Sequence, residues 1–205
     1  MTLVPFLIAA TVLAVTPGPG IAYVVARTIS GGRAEGLASC IGTGLGGLIH
    51  VLASALGVSL IIAQSAIAFS LLKYVGAAYL IYLGVRMWLR PNLPLPTESI
   101  DPQGSRRALL EGIVVETLNI KTALFFLAFL PQFVTSDQPL LPQLVTLGCI
   151  CVALNTLVDV IAVLLAHRLI KSNIVRTPNA KIINYLSGSI MIGLGSLLAL
   201  VRRDV

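Results

Sequence analysis

The most constraining feature of the sequence is an uncharged run at 2–26 that carries the segment TPGPG at 16–20. At about 1.5 Å of rise per residue, a helix over this run can cross the roughly 30 Å hydrocarbon core of a bilayer. Each proline removes a backbone N–H donor and disturbs the carbonyl one turn earlier, at Leu13 and Val15. Because unpaired carbonyls are costly in lipid, a helix that breaks at this depth must face a cavity or a packed protein interior.

We therefore predict two half-helices, with Thr16 as the N-cap of the second and Pro17 at its first position. The N-terminus of a helix presents free N–H groups and a partial positive charge. Here it would lie near the middle of the membrane, where it suits an anionic group such as a carboxylate. The alternative interpretation is a proline kink that only shapes helix packing.

Composition indicates an all-α integral membrane protein. Of the 205 residues, 57% are hydrophobic and 11% are charged, and the mean hydropathy is +0.96. Soluble domains carry about 25% charged residues, so this chain lacks the polar surface of a soluble globule. The net charge of +6 does not indicate nucleic-acid binding, because the basic residues are spread between apolar runs and form no single face. The N-terminal run is expected to be a retained span and not a signal peptide.

The chain is predicted to form six transmembrane helices in two inverted three-helix halves. The first half, 1–90, holds spans at 3–26, 36–60 and 66–88; a proline-rich linker at 91–106 follows; the second half, 107–205, holds spans at 108–131, 140–167 and 182–201. An odd number of spans per half forces the halves into opposite orientations, as in many secondary transporters. Each half opens on a disturbed helix, the first at 16–20 and the second around Asn119.

Basic residues predict the orientation of the chain. Ten Lys and Arg residues lie in the turns after the first, third and fifth spans, and three lie on the opposite side. The positive-inside rule then places the basic turns in the cytoplasm and both termini outside. Rows of small residues predict close helix packing in the second and sixth spans. These rows are Ser39, Thr43 and Gly47, then Gly42 and Gly46, then Ser189 and Gly193.

Ionisable residues deep in the spans are the first functional candidates. Lys121 lies 14 residues past Arg107, roughly 21 Å along a helix, so it must face a polar interior or a partner. Asp159 lies inside the fifth span, and Glu116 lies one turn before Asn119. Either acid could neutralise Lys121, bind a substrate ammonium or carry a proton. The alternative for Lys121 is a purely structural ion pair.

Histidine and cysteine offer weaker candidates. His50, in the second span, is expected to be a hydrogen-bonded interior histidine, with a coupling role as the alternative. Cys40, Cys149 and Cys151 lie in apolar spans and give no disulfide framework. A metal site at Cys149 and Cys151 is not favoured, because residues two apart point to different faces of a helix. These thiols and His50 leave one candidate function open, the export of metals or inorganic cations.

No motif in the sequence indicates an enzyme, a cofactor or bound ATP. There is no Walker A sequence, no H-E-x-x-H and no G-x-S-x-G. The chain also offers no recognisable activated nucleophile. Energy for transport would therefore have to come from an ion gradient or the membrane potential. A passive channel is a further, weaker alternative.

Taken in order along the chain, several short motifs resemble the LysE/RhtB family of amino-acid exporters. They are Thr16-Pro17-Gly18-Pro19, the residues Gly36 to Gly42 with Gly46 and His50, Lys73-x-x-Gly76-Ala77-x-Tyr79-Leu80-x-x-Leu83-Gly84, Asn119-x-Lys121 with Phe125-Phe126, Pro131-Gln132-Phe133, and Gly188 with Gly193-x-Gly195. The resemblance covers essentially the whole chain. It implies a multi-pass secondary transporter of the bacterial inner membrane that expels amino acids or close derivatives as a homodimer.

The same resemblance implies which residues bind the substrate. The matched signature positions are Thr16, Pro17, Gly18, Pro19, Asn119 and Lys121. The family carries proline between that asparagine and lysine, whereas this chain has Ile120, so the break in the fourth span is expected to be milder or absent. Glu116 and Asp159 are not carried over from the resemblance and depend on the depth argument alone.

These inferences combine into one hypothesis for the site. The substrate carboxylate is expected to meet the half-helix N-terminus after Thr16 and the ammonium of Lys121. The substrate ammonium is expected to meet the freed carbonyls near Leu13 and Val15, or Asp159. Since a neutral zwitterion gains nothing from the membrane potential alone, proton antiport is the simplest coupling.

Overall fold

The computed structural model describes residues 3–58, 66–89, 102, 104–135, 137–171 and 180–200, and its elements in these ranges are all helical. The helices are α1 (Leu3–Val15), α2 (Pro19–Ala53), α3 (Ala66–Leu89), α4 (Ser105–Thr117), α5 (Ile120–Leu124), α6 (Leu140–Lys171) and α7 (Ala180–Leu200). α2 continues into a π-helical turn at Ser54–Val58, and α5 continues as a π-helix at Phe125–Phe129 and a 3₁₀ helix at Leu130–Phe133. The turn expected near 64–65, between the second and third predicted spans, and most of the linker lie outside the described residues.

Two described helical stretches are long and apolar enough to cross a membrane, at Pro19–Gly57 and Leu140–Arg168. A third candidate is the pair Ser105–Thr117 and Ile120–Phe133, which is bent by 46° at its break. α1 and Met191–Leu200 are shorter apolar helices. The described part of the chain is therefore an all-α protein with two or three clear apolar spans.

The break in the first helix is present, but its cap differs from the prediction. α1 ends at Val15, residues 16–18 are not helical, and α2 begins at Pro19 with Gly18 as its N-cap. Thr16 instead closes α1, because its Oγ1 donates a hydrogen bond to the carbonyl oxygen of Val12 at 2.6 Å. The predictions of Thr16 as N-cap and of Pro17 at the first helical position are therefore wrong.

A second break separates α4 from α5 at Leu118 and Asn119. Asn119 has extended backbone angles, φ −73° and ψ 98°, and caps the N-terminus of α5 without a side-chain capping bond. The bend of 46° occurs although Ile120 stands where the resemblance implies a proline. The expectation that this break could be absent is therefore wrong.

Gly32 interrupts α2 between the first two predicted spans, where the sequence Gly31-Gly32-Arg33 favours a short polar turn. Its backbone angles are φ 75° and ψ −171°, in the region of positive φ that glycine adopts without steric cost. α2 thus consists of two helical segments, 19–31 and 33–53, on either side of this residue. The first segment is the second half of the broken helix, and the other carries the small-residue rows.

The small residues of α2 allow close approach of α4, as predicted. A Cβ atom on Gly46 would lie 2.7 Å from the carbonyl oxygen of Ile113, and one on Gly112 would lie 2.8 Å from that of Ser39. In α7 the predicted row is wrong, because a Cβ on Gly193 would meet nothing within 4 Å. Gly188 and Gly195 face α3 instead, each within 2.7 Å of a backbone oxygen when a Cβ is added.

The close contact between α2 and α4 gives a stability prediction. Gly112→Ala places a methyl group against the backbone of α2, and such overpacking typically costs about 1–3 kcal/mol. We expect a lower unfolding temperature in detergent. Gly193→Ala is the matched control, since the same methyl group there enters open space. Equal unfolding temperatures for the two variants would contradict the packing.

Aromatic side chains form a buried cluster where α1 packs against the end of the α5 segment. Phe6, Phe125, Phe126, Phe129 and Phe133, here called the aromatic cluster, are all buried. The rings of Phe125 and Phe129 stack with centroids 5.2 Å apart, and Phe6 meets Phe133 edge-on at 5.6 Å. The cluster joins α1 to the end of the α5 segment, and its Phe126 reaches the interior cavity described next.

Candidate functional site

The buried ammonium of Lys121 lies at the break in the first helix. Its Nζ donates hydrogen bonds to the carbonyl oxygens of Thr16 at 2.8 Å and Leu13 at 3.2 Å. The structure thus brings together the two regions that the sequence singles out, 105 residues apart. Gly18 makes room for this contact, because a Cβ there would lie 3.0 Å from Nζ.

Lys121 makes no ion pair among the residues that the structure describes. The ion pairs in those ranges join Arg27 to Glu35 and Glu111, and Arg107 to Glu111. The alternative interpretation of Lys121 as half of a structural ion pair is therefore not what the structure has. Backbone carbonyls hold the charge, and since an ammonium has three protons, one remains for a further acceptor.

Glu116 is held by two donors, one for each carboxylate oxygen. Thr122 Oγ1 donates to Oε1 at 2.7 Å, and Asn119 Nδ2 donates to Oε2 at 3.0 Å. Gly20 makes room for the carboxylate, since a Cβ there would lie 2.7 Å from Oε2. Glu116 is therefore fixed beside the N-termini of α2 and α5.

His50 pairs with the backbone at the second break. Its Nε2 lies 2.8 Å from the carbonyl oxygen of Glu116. A carbonyl only accepts, so Nε2 carries a proton and donates. The helix ends at Thr117, and this carbonyl also accepts a hydrogen bond from the backbone N–H of Asn119 at 3.0 Å. His50 is the hydrogen-bonded interior histidine that the sequence predicts, and it forms no ion pair within the described residues.

Asn119 leaves one polar atom without a partner. Its side chain is 3% exposed, and Oδ1 accepts no hydrogen bond in the described part of the chain. The side chain directs Nδ2 toward Glu116, so Oδ1 lies on the other side of the amide. Asn119 therefore offers a free acceptor to the interior.

Asp159 approaches from α6 on the other side. It is 6% exposed, and its Oδ2 lies 2.8 Å from Thr43 Oγ1 of α2. The hydroxyl of Thr43 also lies 3.1 Å from the carbonyl oxygen of Cys40. Asp159 thus has a hydroxyl neighbour, and no cation lies within ion-pair distance of it in the described ranges.

A narrow polar cavity joins these groups. Its lining includes Gly20, Thr43, Glu116, Asn119, Lys121 and Asp159. The cavity has a volume of about 20 Å³, which is room for about one or two waters. A free amino acid does not fit, so the structure is closed around this site.

Charged side chains from three stretches of the chain meet at Arg27, which the sequence patterns did not predict. Arg27 is 1% exposed; it forms a hydrogen-bonded ion pair with Glu111 and lies 3.6 Å from Glu35. Tyr23 accepts a bond from Arg27 Nε at 3.2 Å and donates to the carbonyl oxygen of Ala108 at 2.8 Å. We call these four residues, Tyr23, Arg27, Glu35 and Glu111, the charge network. The signal was available, since Arg27 and Glu35 flank the Gly31-Gly32 turn and therefore face each other across two helical segments.

The structure does not assemble the metal site of the alternative function. Cys40 and Cys151 are buried, whereas Cys149 is exposed. In the ranges that the structure describes, no group of three or more His, Cys, Asp or Glu side chains could hold a metal ion. The thiols and His50 therefore do not converge there.

Comparison with known proteins adds the family. Residues 11–202 match the model of the LysE type translocator. A Salmonella typhi protein named homoserine/homoserine lactone efflux protein is 33% identical over 200 residues, which cover 97% of this chain and 96% of that protein. An uncharacterized membrane protein of Vibrio cholerae is 33% identical over 199 residues, 96% of each chain. The comparison with solved structures gives no match. The chain therefore belongs to the LysE type translocator family, whose members are transporters and not enzymes.

Proposed function

We propose that the protein is a secondary active exporter of amino acids or amino-acid derivatives across the bacterial inner membrane. The observation that carries this proposal is the meeting of two interrupted helices at one buried ammonium, which lines a narrow polar cavity. Relatives named for the efflux of homoserine and homoserine lactone support the substrate class. The two breaks also support six spans in two inverted halves, one break opening each half.

The substrate carboxylate binds at the N-terminus of α2. Pro19 has no N–H, and the first bond inside this helix runs from Ala22 N to the carbonyl oxygen of Gly18 at 3.0 Å. The N–H groups of Gly20 and Ile21 are thus free of helical partners, and both residues line the cavity. Together with the third proton of Lys121, they favour a carboxylate there.

The substrate ammonium binds on the opposite side of the cavity. Leu13 is not available for it, because Lys121 already bonds the carbonyl of Leu13. The acceptors that remain are Oδ1 of Asn119, which has no partner in the described chain, and the carboxylate of Asp159. The hypothesis that freed backbone carbonyls near Leu13 take the ammonium is replaced by this arrangement.

Transport requires the cavity to open at one end at a time. The charge network lies seven residues along α2 from Gly20, about 10 Å toward the predicted cytoplasmic side. The aromatic cluster lies at the other end. We infer that separation of the charge network admits substrate from the cytoplasm and that separation of the aromatic cluster releases it outside. Proton antiport supplies the driving force, because moving a neutral zwitterion gains nothing from the potential, whereas one charge gains about 2.3 kcal/mol per 100 mV.

The proposal is tested with the purified protein in lipid vesicles. Vesicles preloaded with labelled homoserine are expected to exchange it, saturably, with external homoserine, and to accumulate it when a pH gradient is imposed. A growth-protection screen with toxic amino acids then defines the range of substrates. Transport of divalent cations with no flux of any amino acid would instead favour the cation exporter.

Asn119 gives a sharper test of the ammonium position. Asn119→Ala removes the free acceptor, and a hydrogen bond to a charged group is worth about 1.5–3 kcal/mol, so KM is expected to rise about ten-fold to a hundred-fold. Thr117→Val is the control, because Thr117 Oγ1 is also buried without a partner in the described chain but is not among the residues that line the cavity. An unchanged KM for Asn119→Ala would place the ammonium elsewhere.

A further inference from the structure

The two carboxylates at the cavity have different hydrogen-bond surroundings. Both oxygens of Glu116 accept, one from an amide N–H of Asn119 and one from the hydroxyl of Thr122. An amide N–H can only donate, and a carboxylate that accepts on each oxygen is suited to the ionised form. Glu116 is therefore arranged to stay negative.

Asp159 is arranged differently, because its neighbour Thr43 has one proton and two oxygen neighbours. The hydroxyl of Thr43 lies 2.8 Å from Asp159 Oδ2 and 3.1 Å from the carbonyl oxygen of Cys40. If Asp159 is ionised, Thr43 can donate to only one of the two. If Asp159 carries a proton on Oδ2, it donates to Thr43, Thr43 donates to Cys40, and both contacts become hydrogen bonds. The closed structure therefore fits a protonated Asp159.

The charges around Asp159 lead to the same conclusion. The titratable groups that face it are the thiol of Cys40 from α2, Glu116 from α4 and Lys121 from α5. His50 of α2 points to the backbone of Glu116 instead. With Lys121 positive and Glu116 negative the cavity is neutral, so an ionised Asp159 adds one uncompensated charge in a nearly dry space. Either a proton or a substrate ammonium removes that cost.

We propose that Asp159 is the proton-binding residue of the transport cycle, that the proton and the substrate ammonium compete for its carboxylate, and that Glu116 remains ionised as the counter-charge of Lys121. This assignment rests on the proposed export function. A proton binds Asp159 from the outside, crosses in the closed state, and leaves to the cytoplasm as the substrate ammonium takes its place. The loaded site then returns and releases the substrate outside. Each cycle exports one zwitterion and imports one proton, so one positive charge moves inward.

The first experiment needs no substrate and no variant. A hydrophobic carbodiimide reacts with protonated carboxyl groups in apolar surroundings, and peptide mass spectrometry locates the product. With the purified protein in lipid vesicles, we expect labelling of Asp159 that falls as the pH rises, and little labelling of Glu116. Labelling of Glu116 in place of Asp159 would overturn the assignment.

Transport measurements then separate this inference from the export function. With the same pH inside and outside the vesicles, Asp159→Asn is expected to retain saturable homoserine exchange, with a raised KM because the substrate ammonium loses an acceptor. It should lose both accumulation under a pH gradient and proton entry reported by an internal pH dye. Glu116→Gln should remain coupled to protons, with its dependence on pH displaced to lower pH, because an uncompensated Lys121 favours an ionised Asp159. If the wild type exchanges amino acids and Asp159→Asn remains coupled to protons, this inference fails while the export function stands. If the wild type exchanges no amino acid, the export function itself fails.

A variant that keeps the acid guards against a folding defect. Asp159→Glu retains a titratable carboxyl but moves it relative to Thr43. Accumulation under a pH gradient should persist, with its dependence on pH displaced from that of the wild type. A dependence identical to that of the wild type would show that the proton binds another group.

Discussion

Replacing Lys121 by methionine is expected to lower amino-acid exchange by at least about 100-fold, because two functions of its ammonium are lost together. The carbonyl oxygen of Thr16 loses its donor, and that of Leu13 keeps only the bond from Thr16 N at 3.3 Å, in an interior with room for about one or two waters. The substrate carboxylate loses the only cation that lines the cavity within the described chain. Exchange of labelled homoserine in lipid vesicles measures the loss.

Two controls separate the charge from the fold. Arg33→Met removes a cation from an exposed position and is expected to leave exchange near the wild-type rate. Lys121→Arg keeps a donor for the two carbonyls, so it should retain the unfolding temperature better than Lys121→Met even where exchange is slow. Exchange at the native rate by Lys121→Met would remove Lys121 from the site and with it the proposed substrate position.

The sequence predicted an interior position both for the helix break at 16–20 and for Lys121. It did not predict that Lys121 donates hydrogen bonds to the carbonyl oxygens at the break. Prolines at 17 and 19 strand carbonyls in lipid, and a lysine deep in a span needs acceptors, so each feature requires an interior partner. The resemblance to a known family marked the same positions. Pairing Lys121 with Leu13 and Thr16, however, depends on how distant helices are packed, which local patterns do not contain.

The errors have equally local causes. Threonine and glycine are about equally good N-caps, so propensity alone did not separate Thr16 from Gly18. The side chain of Thr16 bonds backward to Val12 instead, and the second proline then starts the helix. In α7 the spacing of Ser189 and Gly193 was correct for a close contact, but spacing alone does not say which face of a helix meets a neighbour.

The charge network was missed because its members lie near span ends, where charged side chains usually reach water. Arg27 entered the sequence argument only as evidence of orientation. The structure shows it almost fully buried, between acids from two other stretches of the chain. Burial of this kind depends on the fold around Gly32 and cannot be read from hydropathy.

Arg27→Met is accordingly the second large effect that we expect. Removing one partner from a buried ionic group typically costs about 3–5 kcal/mol, because the remaining charges lose their compensation. Here Glu35 and Glu111 would face each other without the cation between them. The unfolding temperature in detergent should fall strongly. Arg107→Met is the matched control, since Arg107 pairs with the same Glu111 but is 62% exposed, and exposed pairs contribute about 0–1 kcal/mol.

A compensated variant distinguishes a lost charge from a lost side chain. In Arg27→Met combined with Glu35→Gln and Glu111→Gln, no buried charge is left unpaired, and only the exposed Arg107 loses its partner, so most of the stability should return. If the charge network also closes the cavity, access to the interior should stay increased even where stability returns. The buried thiol of Cys40, beside Val24 and Val163, lies between the charge network and the cavity and reports this access. The test uses a Cys149→Ser background, which removes the exposed thiol. A water-soluble maleimide should therefore label Cys40 faster in both Arg27 variants than in Arg107→Met. Recovery of stability without faster labelling would mean that the network supports the fold but does not close the cavity.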